Sequence, residues 1–195
     1  MEEIENRWWT PRELLTSAHA IRVATPEDEF FCEGKYKKVR EAIAVAEFAT
    51  RRPWNRDWQV RPVPEHERFP DAELKCGDDL RPFEVVEADR ESRRRCAEYR
   101  AAKGQPKELE FYDPEEEAST ALGEIYRVVG KKAAKGYTPK PHLLVYVNLP
   151  AGEPTSLDAS ALHEQFGARF QSVWLLWQSG TFRLWPNPAR IKRNF

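Results

Sequence analysis

Cysteine is scarce in this chain, and the three present, Cys32, Cys76 and Cys96, share no C-x-x-C spacing. An odd set of this kind supports neither a disulfide framework nor a thiolate zinc site, and it fits a reducing, intracellular setting. Long apolar runs are missing as well. Nothing approaches the roughly eighteen uninterrupted apolar residues of a membrane span. The opening Met-Glu-Glu-Ile-Glu is acidic, without the apolar stretch of a signal peptide. The expectation is a cytoplasmic protein with no membrane segment. Charge of one sign is also lacking: 31 lysines and arginines face 32 aspartates and glutamates, a net charge of −1. No global field announces a nucleic-acid binder, so any such binding must come from local basic patches.

Several motifs are absent too. Without a G-x-x-x-x-G-K-S/T loop or a G-x-G-x-x-G turn, a P-loop or dinucleotide fold has no support. The G-x-S-x-G elbow of the hydrolases is not there. His19, His66, His142 and His163 are scattered and read as structural or surface groups. What remains is 41% apolar residues, seven tryptophans and fifteen prolines, a composition that fits a loop-rich but folded protein. At 195 residues it is one domain by length.

Local signals divide it into an N-terminal helical extension (1–34), one α/β domain (35–189) and a basic tail (190–195). Thr10-Pro11-Arg12-Glu13 reads as a helix start with a capping box, and Thr25-Pro26-Glu27-Asp28 repeats the signal. A helix is expected over about 35–51, with Val39, Ala42, Ile43, Ala46 and Ala49 as its apolar stripe. Glu47 flanks that stripe and Glu41 points nearly opposite; both are candidate helix acids. Trp58-Gln59-Val60 is a short edge strand in a proline-rich loop. A basic helix covers 89–103, and Asp113-Pro114-Glu115 begins another that ends near Lys135 and Gly136. His142 to Leu149 is a nearly continuous apolar run, suited to a strand buried on both faces. A helix near 158–166 and a hairpin of 172–177 with 181–185 complete the chain, Trp174, Leu176, Phe182 and Leu184 alternating with outward residues. The order implies a mixed central sheet flanked by helices, with a C-terminal β-hairpin.

Chemistry concentrates at Pro70-Asp71-Ala72-Glu73-Leu74-Lys75 and Arg81-Pro82-Phe83-Glu84-Val85-Val86, two extended segments joined by a turn at 76–80. Alternation puts Asp71, Glu73 and Lys75 on one face of the first segment, and Glu84 and Val86 on one face of the second. As neighbours in a sheet, Asp71 and Glu84 fall within reach of one cation. Such a pair repels itself unless a metal or basic groups offset the charge. Asp71 and Glu84, with Glu73 beside them, are therefore candidate ligands for Mg²⁺ or Mn²⁺, which favour oxygen donors and activate water for phosphodiester hydrolysis. A solvated polar hairpin is the plain alternative.

Pro70-Asp71, the turn, Phe83-Glu84-Val85 and the arginine-rich helix with Glu98-Tyr99 resemble the core of the PD-(D/E)xK nuclease superfamily. More narrowly, the chain resembles a family of bacterial endonuclease-like proteins across about residues 35–185. The resemblance implies a restriction-endonuclease-like fold, a Mg²⁺-dependent nuclease activity, and Asp71 and Glu84 as metal ligands. The superfamily's lysine belongs at position 86, where this chain has Val86. Either a basic residue from elsewhere serves, Arg94, Arg95 or Lys75, or the site does not cut. A second register, Glu73-Leu74-Lys75, needs Asp57 or Glu65 as its partner acid; a third, Glu87-Ala88-Asp89, puts an acid at the lysine position. Arg93, Arg100, Lys131 and Lys132 are candidate contacts to DNA or RNA. The competing function is an inactive nuclease-like scaffold that binds nucleic acid or a protein, and the oligomeric state stays open, a dimer included.

Overall fold

A computed structural model describes residues 4–51, 57–67, 69–90, 95–101, 114–149, 159–177, 180–185 and 189–191. The first helix, α1 (Pro11–Ala24), begins with the expected capping box: the Glu13 amide donates to Thr10 Oγ1 at 3.3 Å, and the Thr10 amide donates to Glu13 Oε2 at 3.2 Å. The second start behaves differently. Thr25 Oγ1 donates back to the Ile21 carbonyl at 2.7 Å, so it closes α1 and leaves α2 (Glu27–Cys32) without a side-chain cap. After one turn of 3₁₀ helix comes α3 (Lys37–Arg51).

Among the described residues, seven strands form one sheet in sequence order: β1 (Gln59–Pro62), β2 (Ala72–Cys76), β3 (Asp79–Ala88), β4 (His142–Val147), β5 (Ser172–Trp177), β6 (Gly180–Trp185) and β7 (Ala189–Ile191). Both outer sets pair antiparallel, while β3–β4 and β4–β5 are parallel. The β2–β3 turn is tighter than expected, with Cys76 opposite Asp79 and Gly77 at φ +58°, a conformation open to glycine. The parallel pairs require crossovers. α4 (Arg95–Ala101) and α5 (Pro114–Ala133) lie between β3 and β4, and α6 (Ala159–Phe166) between β4 and β5.

Two apolar layers result, one on each side of the sheet. The first joins Phe48 of α3 and Leu14 of α1 to Leu74, Phe83, Leu144 and Trp174; it also takes in Ile4, Trp9 and Phe30. The second joins Ile125, Val128 and Val129 of α5 and Leu162 of α6 to Leu143, Val145, Val173 and Leu175. The last hairpin therefore has no outward set on β5. Trp174 and Leu176 enter the first layer, whereas Val173, Leu175 and Trp177 enter the second, because helices cover both faces at this strand.

One helix turns toward the sheet a row that the sequence reading did not single out, and this matters for the site. Phe48 of α3 meets Phe83 and Trp174 with ring centroids 5.4 Å apart, and Lys38 reaches Asp71. The sheet-facing row is thus Lys38, Glu41, Val45 and Phe48, at i, i+3, i+7 and i+10. The stripe from Val39 to Ala49 lies about a third of a turn away, and α1 packs against α3. A helix held between a sheet and another helix buries two faces, and the more apolar one is not the one turned to the sheet.

Candidate functional site

The site arises where β2 stops and β3 continues. β2 begins at Ala72, opposite Phe83, so Glu84 to Ala88 pair with β4 alone. Asp71 fills the corner. Its amide donates to the Phe83 carbonyl at 3.0 Å, and its Oδ2 accepts the Val85 N–H at 2.9 Å, satisfying a donor that β2 does not reach. Asp71 and Glu84 are both buried, 8% and 2% exposed, although buried carboxylates are rare without partners.

Those partners come from two helices and a loop. Lys132, near the end of α5, places Nζ 2.6 Å from Glu84 Oε2 and 3.2 Å from Asp71 Oδ2. Tyr137 donates its hydroxyl to Glu84 Oε2 at 2.7 Å, and its ring stacks on Phe69, centroids 5.3 Å apart. From the other side of the sheet, the Lys38 ammonium lies 3.5 Å from Asp71 Oδ1 and 3.1 Å from Glu41 Oε2. Lys37 approaches Glu41 Oε1 at 3.4 Å. The result is three carboxylates and two ammonium groups in one cluster, Lys38 buried and Lys132 partly so, with Lys37 at its outer edge.

The charges settle each other. Burial alone would push the Asp71 carboxyl up, but the Lys132 charge, the Val85 N–H and Lys38 together hold it below the usual aspartate value. Burial likewise disfavours the Lys132 ammonium, and Asp71 and Glu84 outweigh it, keeping Lys132 above the ordinary lysine value. Lys38 follows the same pattern through Glu41 and Asp71. Glu41 goes the other way: burial first, then the Asp71 charge, raises its carboxyl beyond what Lys38 and Lys37 offset. Burial and the Glu84 carboxylate raise the Tyr137 phenol well above its ordinary range. The cluster thus holds fixed cations beside one carboxyl poised toward protonation.

Of the residues singled out in the sequence, Asp71 and Glu84 come together. Glu73 does not join them. Its carboxylate is taken by Arg61 across the β1–β2 pair, Nε to Oε2 2.9 Å, so the side chain turns to the sheet edge. The E-x-K register falls with it, since Lys75 is exposed beside Trp8, and Asp57 and Glu65 are exposed too. Glu87 of the third register accepts from the Asn148 amide at 2.9 Å. Between the helix acids, Glu41 is the one in the cluster, contrary to its expected outward position, while Glu47 pairs with Arg51 along α3. Arg93 and Arg94 lie outside the described residues, as does the side chain of Arg95 at the start of α4. Arg100 and Lys131 are exposed.

Lys132, expected as a surface contact to nucleic acid, is instead the central cation. Its position was signalled in the sequence: Ala121, Ile125 and Val128 define the buried row of α5, and the next residue of that row is Lys132. A lysine continuing an apolar stripe needs buried anionic partners. Lys38 carries the same signal on α3, in the row that ends at Phe48.

The described residues contain no group of three or more histidine, cysteine, aspartate or glutamate side chains arranged as a metal site. Two carboxylates do converge on one ammonium, however, and Mg²⁺ is commonly held by one or two carboxylates with water completing its shell. Asp71 and Glu84 are the described residues that would hold such an ion, on oxygens that now accept from Lys132, Lys38, Tyr137 and the Val85 N–H. Among the described residues, no helix is long and apolar enough to cross a membrane. No family model, curated protein or solved structure matches the chain.

Proposed function

We propose that the Asp71–Glu84–Lys132 cluster is the centre of a Mg²⁺-dependent nuclease of the PD-(D/E)xK type. The observation that carries this reading is the position of Lys132. Val86 leaves the motif without its lysine, and an ammonium from α5 stands instead between the two acids, 2.6 Å from Glu84. The restriction-endonuclease-like reading of the sheet rests on the same arrangement: two acids at the divergence of β2 and β3, with helices on either side.

Asp71 and Glu84 would hold the ion, which supplies an activated water and offsets charge on the phosphate. Lys132 remains protonated at neutral pH and presents positive charge where negative charge develops during phosphodiester cleavage. Tyr137 and the Phe69 ring fix the orientation of Glu84, a positioning role. Glu41, with its raised carboxyl, is the member of the cluster best suited to take up or release a proton.

The competing reading, a binding module on a nuclease-like scaffold, draws support from Val86 at the position of the motif's lysine. Incubation of DNA and RNA substrates with wild type and Glu84→Gln, in Mg²⁺ or in chelator, separates the two. Metal-dependent cleavage lost in Glu84→Gln supports the nuclease; binding without cleavage supports the module.

A further inference from the structure

We propose that the cavity beside the cluster seats an unstacked nucleotide, and that the ligand of this protein is a single-stranded nucleic acid. The location of the scissile phosphate rests on the nuclease reading above; the binding mode does not. A cavity of about 600 Å³ runs along the part of β3 left unpaired by β2, and it shares Glu41, Val85 and Lys132 with the cluster. Pockets of roughly 300–1,000 Å³ take ligands the size of one or two nucleotides. A base inside a stacked duplex cannot enter such a space unless it is extruded.

The lining combines aromatic rings with cations, the two elements that single-strand binding uses. Phe31 of α2 and Tyr99 of α4 stack with centroids 4.7 Å apart and planes within 4°, and Tyr146 of β4 also lines the space. Lys37, Arg40 and Lys135 supply positive charge around those rings. Among the described lining residues, five basic side chains accompany two acidic ones, Glu41 and Glu87; with Lys132 paired to Asp71 and Glu84 and Lys37 to Glu41, the excess rests on Arg22, Arg40 and Lys135. That local excess is the basic patch that the whole-chain composition concealed.

The test measures fluorescence anisotropy of labelled oligonucleotides in chelator, so that no cleavage is needed. The probes are single-stranded DNA, single-stranded RNA and duplex DNA of equal length. Wild type should bind one or both single strands at least about tenfold more tightly than duplex, a preference that base stacking on aromatic rings readily supplies. Tyr99→Leu, which keeps apolar bulk but removes the ring, should weaken single-strand binding about tenfold. Lys135→Gln, an exposed substitution, should weaken it and lower the salt slope by about 0.7. A thermal melt of each variant confirms the fold. Equal or tighter duplex binding overturns the proposal, as does undiminished single-strand binding in both variants. Cleavage in Mg²⁺ is scored separately: single-strand binding without cutting counts against the nuclease reading alone, and cutting of duplex with no single-strand preference counts against the cavity proposal alone.

Discussion

The Lys132 ammonium lies 2.6 Å from Glu84 Oε2 across 48 residues of sequence, and the same nitrogen lies 3.2 Å from Asp71. An ion pair at this depth holds three otherwise unfavourable buried charges in balance. Lys132→Met leaves both carboxylates without their central cation. Breaking a buried pair from one side costs about 3–5 kcal/mol. Urea unfolding should show a loss of that order, and millimolar Mn²⁺ should recover part of it by binding the two acids in the folded state. A loss unaffected by Mn²⁺ would separate the ion pair from any metal site.

Asp71→Asn reverses the simple expectation from like charges. Two neighbouring carboxylates suggest that neutralising one relieves repulsion, but Asp71 is held charged by Lys132, Lys38 and the Val85 N–H. The amide should therefore destabilise the metal-free protein by about 1.5–3 kcal/mol, the range for hydrogen bonds to charged groups. Equal or greater stability of Asp71→Asn in chelator would contradict this balance.

How much of this was legible in the sequence turns on particular residues. Asp71 and Glu84 were found because a turn between two extended segments forces neighbours together, and β4 because an uninterrupted apolar run from His142 fits only a strand covered on both faces. Glu41 and Lys132 were expected on the solvent side for a common reason. Each is a charged residue on a buried helical row, and apolar periodicity alone assigns charged residues to the solvent side. For Lys132 the partners that make burial tolerable lie 48 and 61 residues away, and local pattern carries no record of them.

The pH dependence of stability has two limbs. Asp71 has a depressed folded value, so its contribution is present above the unfolded carboxyl value of about 3.9 and is lost as pH falls through the folded one. Lys132 has a raised folded value, so its contribution is complete below about 10.4 and is lost as pH rises through the folded one. Urea midpoints should fall at both extremes, and Lys132→Met should lose the alkaline limb that this residue supplies.

Glu41 contributes with the opposite sign. Its raised carboxyl means that ionisation costs more in the folded state, so the penalty is present at neutral pH and vanishes as pH falls below the unfolded glutamate value of about 4.3. Glu41→Gln should raise the urea midpoint at pH 7 and leave it unchanged near pH 4. A lower midpoint at pH 7 would show that the Lys38 pairing outweighs burial.

The central claim is that α5 supplies the lysine that Val86 does not. Cleavage rates in Mg²⁺ for wild type, Lys132→Gln and the double variant Lys132→Gln with Val86→Lys test it directly, with folding of each confirmed by thermal melt. Both positions line the same cavity. Cutting by wild type, a loss of about 10²-fold or more in Lys132→Gln, and partial recovery in the double variant are expected, since a charge-stabilising donor is typically worth that much. No metal-dependent cutting by wild type, or full activity in Lys132→Gln, would contradict the account.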